Sequence, residues 1–487
     1  MNYSDKNEFR FAVKEYLNSL YIGSLRSYGR LVGVKNPTKK KKGELLSDIL
    51  AVLLGEKAPE LPSNLGAPIK NDFVDPTIIQ KIEDLKKAYL PNGATEEGAF
   101  FAFEEEKPYM IVNDSGVEFP SLRDQFSRKM YEGQIATVDG VSQLLSLKGE
   151  TDYQKLIVPV ELIRKNDLRE GDVITCFAET RSHVLYATEI LSRNESVIDG
   201  KPRKNFDDLT VCQPTEKIKF VSQTASIAGK YCEWLLPIGK GRRGLVLAPP
   251  KAGKTFLLKT LVREAKQANP DLRVYALLLD QSPEIIAEYE EILPSENIVS
   301  TSYDDEAERH VFLADFLLNR TKRLAEKDKH VLLIVDSFTA LMRAYNETEE
   351  SMGGKTFSCG LESKTLRYIK KYLGTARCFE KGGSLTVLGA LSVQTGNPAD
   401  DFAASEFLSV SNFSLKLSGE LSARRVFPAI EFLSSDTEQP ERLLNETERE
   451  CEYVIRNSYL TKKSYVDLLL LLNACASAQE LLQKLKQ

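Results

Sequence analysis

The chain has 487 residues, 42% hydrophobic and 28% charged, with 65 basic and 70 acidic side chains and a net charge of −5. That balance suits a soluble globular protein of roughly two to four domains and excludes a disordered or collagen-like chain. It also gives no global basic signal for nucleic acid, so such a signal has to be local. Seven scattered cysteines without a Cys-x-x-Cys pair suggest reduced thiols in a cytoplasmic protein, not a disulfide frame or a zinc ribbon. The three histidines, His183, His310 and His330, lie far apart in sequence, which argues against a His-rich metal site. The apolar run 466–473 contains Asp467 and is too short to span a bilayer, and the charged first residues lack the apolar stretch of a signal peptide. No membrane partner is expected.

Residues 1–57 read as short helices. Leu45, Leu46, Ile49, Leu50, Leu53 and Leu54 recur at helical spacing, and Gly55 follows as a stop. The segment carries 11 bases and 6 acids, including the run Lys39, Lys40, Lys41, Lys42. Such a run is either a solvated face or a nucleic-acid contact. Residues 58–132 are acidic, with 14 acids and 8 bases. They open on a linker holding Pro59, Pro62 and Pro68, and an amphipathic helix is expected over 75–90 with Asp75 as its cap.

From residue 133 the period changes. Short β-rich runs at 134–139, 156–160, 172–177 and 184–191 are separated by turn residues such as Asp139-Gly140 and Glu170-Gly171-Asp172. Closely spaced short strands over 133–192 predict a small barrel of the oligonucleotide-binding (OB) type. Residues 193–235 read as a connector. Beyond it, continuous apolar runs at 244–247, 274–279, 331–335 and 385–393 alternate with helical stretches, the pattern of a parallel sheet buried on both faces. The expected fold is thus α/β and multidomain: a helical start, an acidic insert, an OB-like barrel and a P-loop domain over 236–487.

The chemistry is clearest at Ala248-Pro-Pro-Lys-Ala-Gly-Lys-Thr255, between a predicted strand and a predicted helix. A tight turn there points backbone N–H groups at phosphate oxygens, and the helix adds its positive end. Lys254 would supply charge to the β- and γ-phosphates and Thr255 a hydroxyl to Mg²⁺. Val331-Leu-Leu-Ile-Val-Asp336 ends an apolar strand on an acid, so Asp336 is the expected second Mg²⁺ ligand, through water, with Ser337 next in line. Asp280 ends the strand between them.

Four blocks together resemble the bacterial transcription termination factor Rho family: 236–255, Asp336-Ser-Phe-Thr-Ala-Leu-Met-Arg-Ala-Tyr-Asn346, Glu380-Lys-Gly-Gly-Ser-Leu-Thr-Val387 and Arg424-Arg-Val-Phe-Pro-Ala-Ile430. The strong resemblance covers about 230–445. It implies a RecA-type ATPase domain, ATP and Mg²⁺ as cofactors, and a homohexameric ring. It further implies single-stranded RNA and the RNA polymerase elongation complex as partners, and translocase or helicase action on nascent RNA. Carried over by position, nucleotide would be held by Lys251, Ala252, Gly253, Lys254, Thr255 and Phe256. Gly239, Lys240, Gly241, Arg242, Arg243 and Gly244 would form a nearby turn, and Ser282 would lie beside the nucleotide. Lys355 falls in the loop that approaches RNA.

The sequence also departs from that family. Gln281 and Ser282 replace a glutamate and an arginine, and a glutamine cannot take a proton from water. Asp436-Thr437-Glu438 stands where an arginine finger is expected; Arg442, Arg424 and Arg425 are possible substitutes. Pro398 occupies a usually basic pore-loop position, and Gly140-Val-Ser-Gln-Leu-Leu145 lacks the stacking aromatics of the barrel. Tyr153 and Tyr186 would substitute for those rings or pack in the core. Two functions stay open: an RNA-dependent ATPase motor with catalytic Lys254, Asp336, Asp280 and a degenerate Gln281, or an ATP-binding, hydrolysis-impaired relative acting as a regulatory ring.

Overall fold

The computed structural model describes residues 129–486 apart from 151–154, 182–183, 199–202, 223–224 and 351–355, with isolated pieces of 13–57, 78–82 and 111–119 before them. The chain divides into two units, Met1–Tyr109 and Met110–Gln487. In the first, helices α1 (Ile22–Leu31) and α2 (Lys42–Leu53) bury one cluster that includes Leu25, Tyr28, Leu45, Ile49 and Leu50. Two members of the lysine run are tied into this unit: Lys42 Nζ donates to Asn18 O and Leu20 O at 2.8 and 2.9 Å, and Lys40 pairs with Asp48. Of the helix expected over 75–90, only Ile78, Lys81 and Ile82 lie among the described residues.

The second unit opens on a short antiparallel pair, β1 (Ile111–Val112) and β2 (Glu118–Phe119). The barrel follows. Its strands are β3 (Lys129–Val138), β4 (Val141–Leu145), β5 (Leu156–Ile157), β6 (Val173–Arg181), β7 (Val184–Arg193) and β8 (Ser196–Val197), with helix α3 (Val160–Lys165) between β5 and β6. The order β5-β4-β3-β6-β7 closes on itself because β5 pairs parallel with β7, Leu156 opposite Leu185. Five strands closed this way, capped by a helix after the third, make an OB-type barrel. Ile135, Leu144, Ile174, Cys176, Leu185 and Ala187 fill it.

The barrel is seated on helix α6 (Ala307–Ala325). Ala136, Leu145 and Phe316 share one buried cluster, and Gln134 Nε2 donates to Phe316 O at 2.6 Å. Gly171 has φ +88°, and a Cβ there would stand 2.3 Å from the Asn319 backbone, so only glycine allows this approach. Arg203 bridges Asp172 of the barrel (2.9 Å) and Glu326 beyond α6 (3.5 Å).

The large sheet has the order β12-β11-β13-β15-β10-β16-β17, where β10 is Arg243–Ala248, β11 Arg273–Leu278, β12 Ile298–Ser300, β13 His330–Asp336, β15 Ser384–Ser392, β16 Phe413–Lys416 and β17 Asp436–Thr437. All are parallel except β17, and β14 (Arg377–Phe379) and β9 (Val211–Cys212) extend β15 antiparallel. Alternate residues feed opposite layers: Val246, Ala276 and Ile334 face one core with Leu257, Leu258 and Leu261 of helix α4 (Lys254–Ala268), while Leu245, Leu277 and Leu333 face the other with Leu313 and Leu317 of α6. Burial on both faces is why these strands read as unbroken apolar runs. Further α-helices of five residues or more are α5 (Pro283–Glu290), α7 (Phe338–Glu350), α8 (Ser363–Leu373), α9 (Pro398–Leu408), α10 (Gly419–Ala423), α11 (Glu446–Val454), α12 (Tyr465–Asn473) and α13 (Ala478–Leu485). The fold is the expected one: an α/β multidomain chain with a helical start, an OB-like barrel and a RecA-type parallel-sheet P-loop domain. Among the described residues no helix is long and apolar enough to cross a membrane.

Candidate nucleotide site

In a parallel sheet the carboxyl ends of all strands share one edge, and ligands bind there. The loop 249–253 leaves β10 at that edge. Lys251 (φ 62°) and Gly253 (φ 84°) are left-handed, and Gly253 caps α4. The first turn of α4 holds no acid, so its unpaired N–H groups and positive end are unopposed. Lys254 Nζ lies 3.1 Å from Asp336 Oδ1 at the end of β13. Asp336 is fully buried, and neither carboxylate oxygen accepts a hydrogen bond. A buried carboxylate with free lone pairs and a single cation is costly to leave unsatisfied, and it is the donor set a hydrated Mg²⁺ would take. Thr255, half-buried in the first turn of α4, follows Lys254 directly, as Ser337 follows Asp336.

The ladder brings the strand that leads to Asp280 and Gln281 alongside, since Leu278 of β11 is the partner of Asp336. Asp280 (φ 58°) is exposed, with its N–H held by Thr301 Oγ1 at 3.1 Å. Gln281 is buried: its Nε2 donates to Leu279 O (3.1 Å) and Asp336 O (3.4 Å). Both amide protons are thereby occupied, which leaves only the side-chain carbonyl to accept from a water. Ser282 caps α5. Thr301 Oγ1 also meets His310 Nδ1 at 2.6 Å, so this histidine is a satisfied core residue.

Two aromatic residues near the site, Phe427 and Tyr289, join Phe256, which the sequence already placed at the nucleotide. The Phe427 ring lies 3.2 Å from where a Gly253 Cβ would be, and it is 41% exposed. Phe256, on the helix after the loop, is 59% exposed. Two bare rings flanking a phosphate loop can stack a base; the signal was present in the Arg424–Ile430 block but not as a periodicity. Tyr289 of α5 is fully buried with an unpartnered hydroxyl, and burial, then the Asp336 carboxylate, hold its proton on well above the usual tyrosine range. The loop is also braced from α10, where Ser422 Oγ donates to Lys251 O at 2.9 Å.

One expectation is corrected by the geometry. Gly239, Lys240, Gly241, Arg242, Arg243 and Gly244 do not lie near the phosphate loop of their own chain. They precede or begin β10 while the loop follows it, and the six-residue strand spans roughly 17 Å from end to end. Lys240 pairs there with Glu216 at 2.6 Å, and the buried Arg242 guanidinium contacts the Glu438 backbone carbonyl. Because β17 runs antiparallel to β16, Glu438 sits at this same far edge. Arg442 is exposed at the end of the short helical turn Pro440–Arg442 that follows β17, whereas Arg424 and Arg425 follow α10, on the phosphate-loop side.

The RNA-side residues are dispersed. Tyr153 and Lys355 lie outside the described residues. Tyr186 is half-buried on the barrel face opposite Leu185 and Ala187, so it does not pack in the barrel core. Leu144 and Leu145, in the stretch lacking stacking rings, are buried. The segment expected as a pore loop bonds largely within itself: Asn397 Oδ1 caps Ala399 N (3.0 Å), Asp401 Oδ1 accepts from Gln394 N (2.7 Å), and Asp400 Oδ2 accepts from Thr395 Oγ1 (2.6 Å) and pairs with Arg343 (2.7 Å).

The nucleotide-binding domain of the ATP synthase alpha/beta family matches residues 230–436. Transcription termination factor Rho of Streptomyces coelicolor is 38% identical over 59% of this chain and 68% of its own length. That of Streptosporangium roseum is 34% identical over 69% of this chain and 88% of its own. The chain belongs to the Rho family. Rho of Pseudomonas aeruginosa agrees, at 34% identity over 66% of this chain and 81% of the relative. An ATPase from the type III secretion system of pathogenic bacteria overlays with a TM-score of 0.46 at 20% identity, over 64% of this chain and 93% of that one.

Proposed function

We propose that this chain is a Rho-type transcription termination factor: an ATP-dependent homohexameric ring that binds single-stranded RNA and acts as a translocase on nascent RNA against the RNA polymerase elongation complex in the cytoplasm. The observation that carries the nucleotide half is Asp336, fully buried and unbonded, 3.1 Å from Lys254 behind a left-handed loop. In this reading the loop N–H groups and Lys254 hold the phosphates, and Phe427 and Phe256 take the base. Thr255 and Asp336 would hold Mg²⁺, which offsets phosphate charge when bound. The far-edge turn Gly239–Gly244 and the Glu438 region can reach a nucleotide only on a second copy of the chain, which accords with a ring.

A second reading is favoured by one observation. Gln281 has both amide protons committed to backbone carbonyls and carries no proton acceptor of carboxylate strength. With Glu438 in place of a finger cation, hydrolysis is then slow, and the chain works as an ATP-binding ring that regulates or competes. Removing an arginine finger costs roughly 10³–10⁵ in rate at other phosphoryl-transfer sites. The functional test adds the purified chain and Mg·ATP to a stalled elongation complex. Release of transcript that Lys254→Ala abolishes supports the motor; occupancy of RNA without release supports the regulatory ring.

A further inference from the structure

Of the seven cysteines, Cys176, Cys232, Cys451 and Cys475 are buried. Cys212 and Cys378 are half-buried and directly opposite each other, as antiparallel partners on β9 and β14. Glu380 N donates to Thr210 O at 3.0 Å, which places the cysteine pair at a hydrogen-bonded ladder position, with Cα atoms about 5.5 Å apart. That separation falls inside the roughly 4.4–6.8 Å that a disulfide spans. Burial, then the Cys212 side chain facing it, pushes the Cys378 thiol up to about 12. The two strands join distant parts of the chain: β9 belongs to the connector leaving the barrel, and β14 feeds β15, which lies between β10 and β13. The far-edge turn rests on the same spot, since a Cβ on Gly241 would stand 2.4 Å from Cys378 N. Strands of two and three residues pair weakly, so this junction opens more readily than the sheet beside it.

We propose that Cys212 and Cys378 form a redox-modification site, closed to an intramolecular disulfide by a low-molecular-weight disulfide such as oxidised glutathione, and that the bridge fastens the connector to the ATPase sheet. The Cys212 thiolate attacks one oxidant sulfur, the oxidant S–S bond breaks, and one glutathione thiolate leaves. Cys378 gives its proton to that thiolate and attacks the Cys212 sulfur of the mixed disulfide, expelling the second glutathione thiolate, which takes up the proton lost from Cys212. Two protein thiols are oxidised and two glutathione thiols are formed. Cys378 keeps its proton at neutral pH, so the first attack falls to Cys212.

The test treats the full chain with oxidised glutathione and maps non-reduced peptides by mass. The expected result is a cross-linked pair containing residues 212 and 378, reversed by dithiothreitol and absent from Cys212→Ser and Cys378→Ser. The bridge closes a loop of well over 100 residues, so oxidation raises Tm by roughly 5 °C or more, and amide exchange at 211–212 and 378–379 slows. Stable glutathione on Cys212 with no bridge, a Cys451–Cys475 bridge instead, or glutathione on Cys359 while 212 and 378 stay reduced would each overturn the proposal. Should either serine variant fail to fold, the wild-type peptide map decides by itself.

Discussion

Placing a carboxylate at position 281 with Gln281→Glu should not raise ATP turnover by itself, and it should destabilise the protein. Gln281 Nε2 now supplies two donors, to Leu279 O and Asp336 O. A carboxylate there would set a buried anion against two carbonyl oxygens beside the already buried Asp336. It escapes by taking a proton, which from a usual glutamate value near 4.3 costs about 3.7 kcal/mol at pH 7, at about 1.36 kcal/mol per pH unit. A protonated carboxyl returns one donor, so one hydrogen bond of about 1 kcal/mol is lost as well. The sum, about 4–5 kcal/mol, is an upper value, because rearrangement toward solvent relieves part of it. The expected deficit is about 2–4 kcal/mol, or a Tm lowered by roughly 5–15 °C. The sign with pH is fixed: a carboxyl whose folded pKa is raised destabilises as pH rises through the window above 4.3. The deficit therefore shrinks by about 2 kcal/mol, at most, between pH 7 and 5.5. Thermal melting at the two pH values, with ATP turnover on the same samples, is the assay. A variant that melts like the wild type at pH 7 and hydrolyses ATP faster would refute the reasoning.

Other outcomes follow from the same structure. Lys230 Nζ is buried and donates to Leu472 O (2.9 Å) and Cys475 O (2.7 Å) at the end of α12, so Lys230→Met should cost about 2–3 kcal/mol in urea unfolding. Phe427→Ala and Phe256→Ala should each weaken nucleotide binding, by roughly 5- to 100-fold for a lost stacking contact, with ATP and GTP affected alike when titrated; an unchanged Kd would remove both rings from the site. Burial, opposed by the Ser226 hydrogen bonds, holds the Glu264 pKa above its ordinary value of 4.5. Its raised folded pKa means the carboxyl favours the fold below that value and costs stability as pH rises through the window. Glu264→Gln should therefore flatten the melting-temperature profile between pH 5 and 7, and an unchanged slope would count against this assignment.

The fold was legible because burial on both faces makes a sheet strand read as a continuous apolar run, as at 331–335, and because turn residues mark off the barrel strands. The strands over Val211–Cys212, Ile298–Ser300, Arg377–Phe379, Phe413–Lys416 and Asp436–Thr437 are too short for any period to register. The phosphate loop was legible because its conformation demands particular residues at fixed spacing, as at Gly253. The displacement of Gly239–Gly244 was not: sequence proximity to Lys254 hides the length of β10 between them, and a strand carries its two ends to opposite edges of the sheet. Phe427 was hidden for the opposite reason, since 173 residues of intervening chain separate it from the loop it touches. The self-capped acidic turn at 394–401 shows what Pro398 alone could not, that the position is the first residue of a helix capped by Asn397.

The most direct measurement is steady-state ATP hydrolysis at saturating Mg·ATP, with and without poly-pyrimidine RNA, beside Lys254→Ala. The account of a Rho-type ring predicts turnover that RNA stimulates and that Lys254→Ala abolishes, at a rate held low by Gln281 and Glu438. Turnover that RNA does not change, or that survives loss of Lys254, would contradict it.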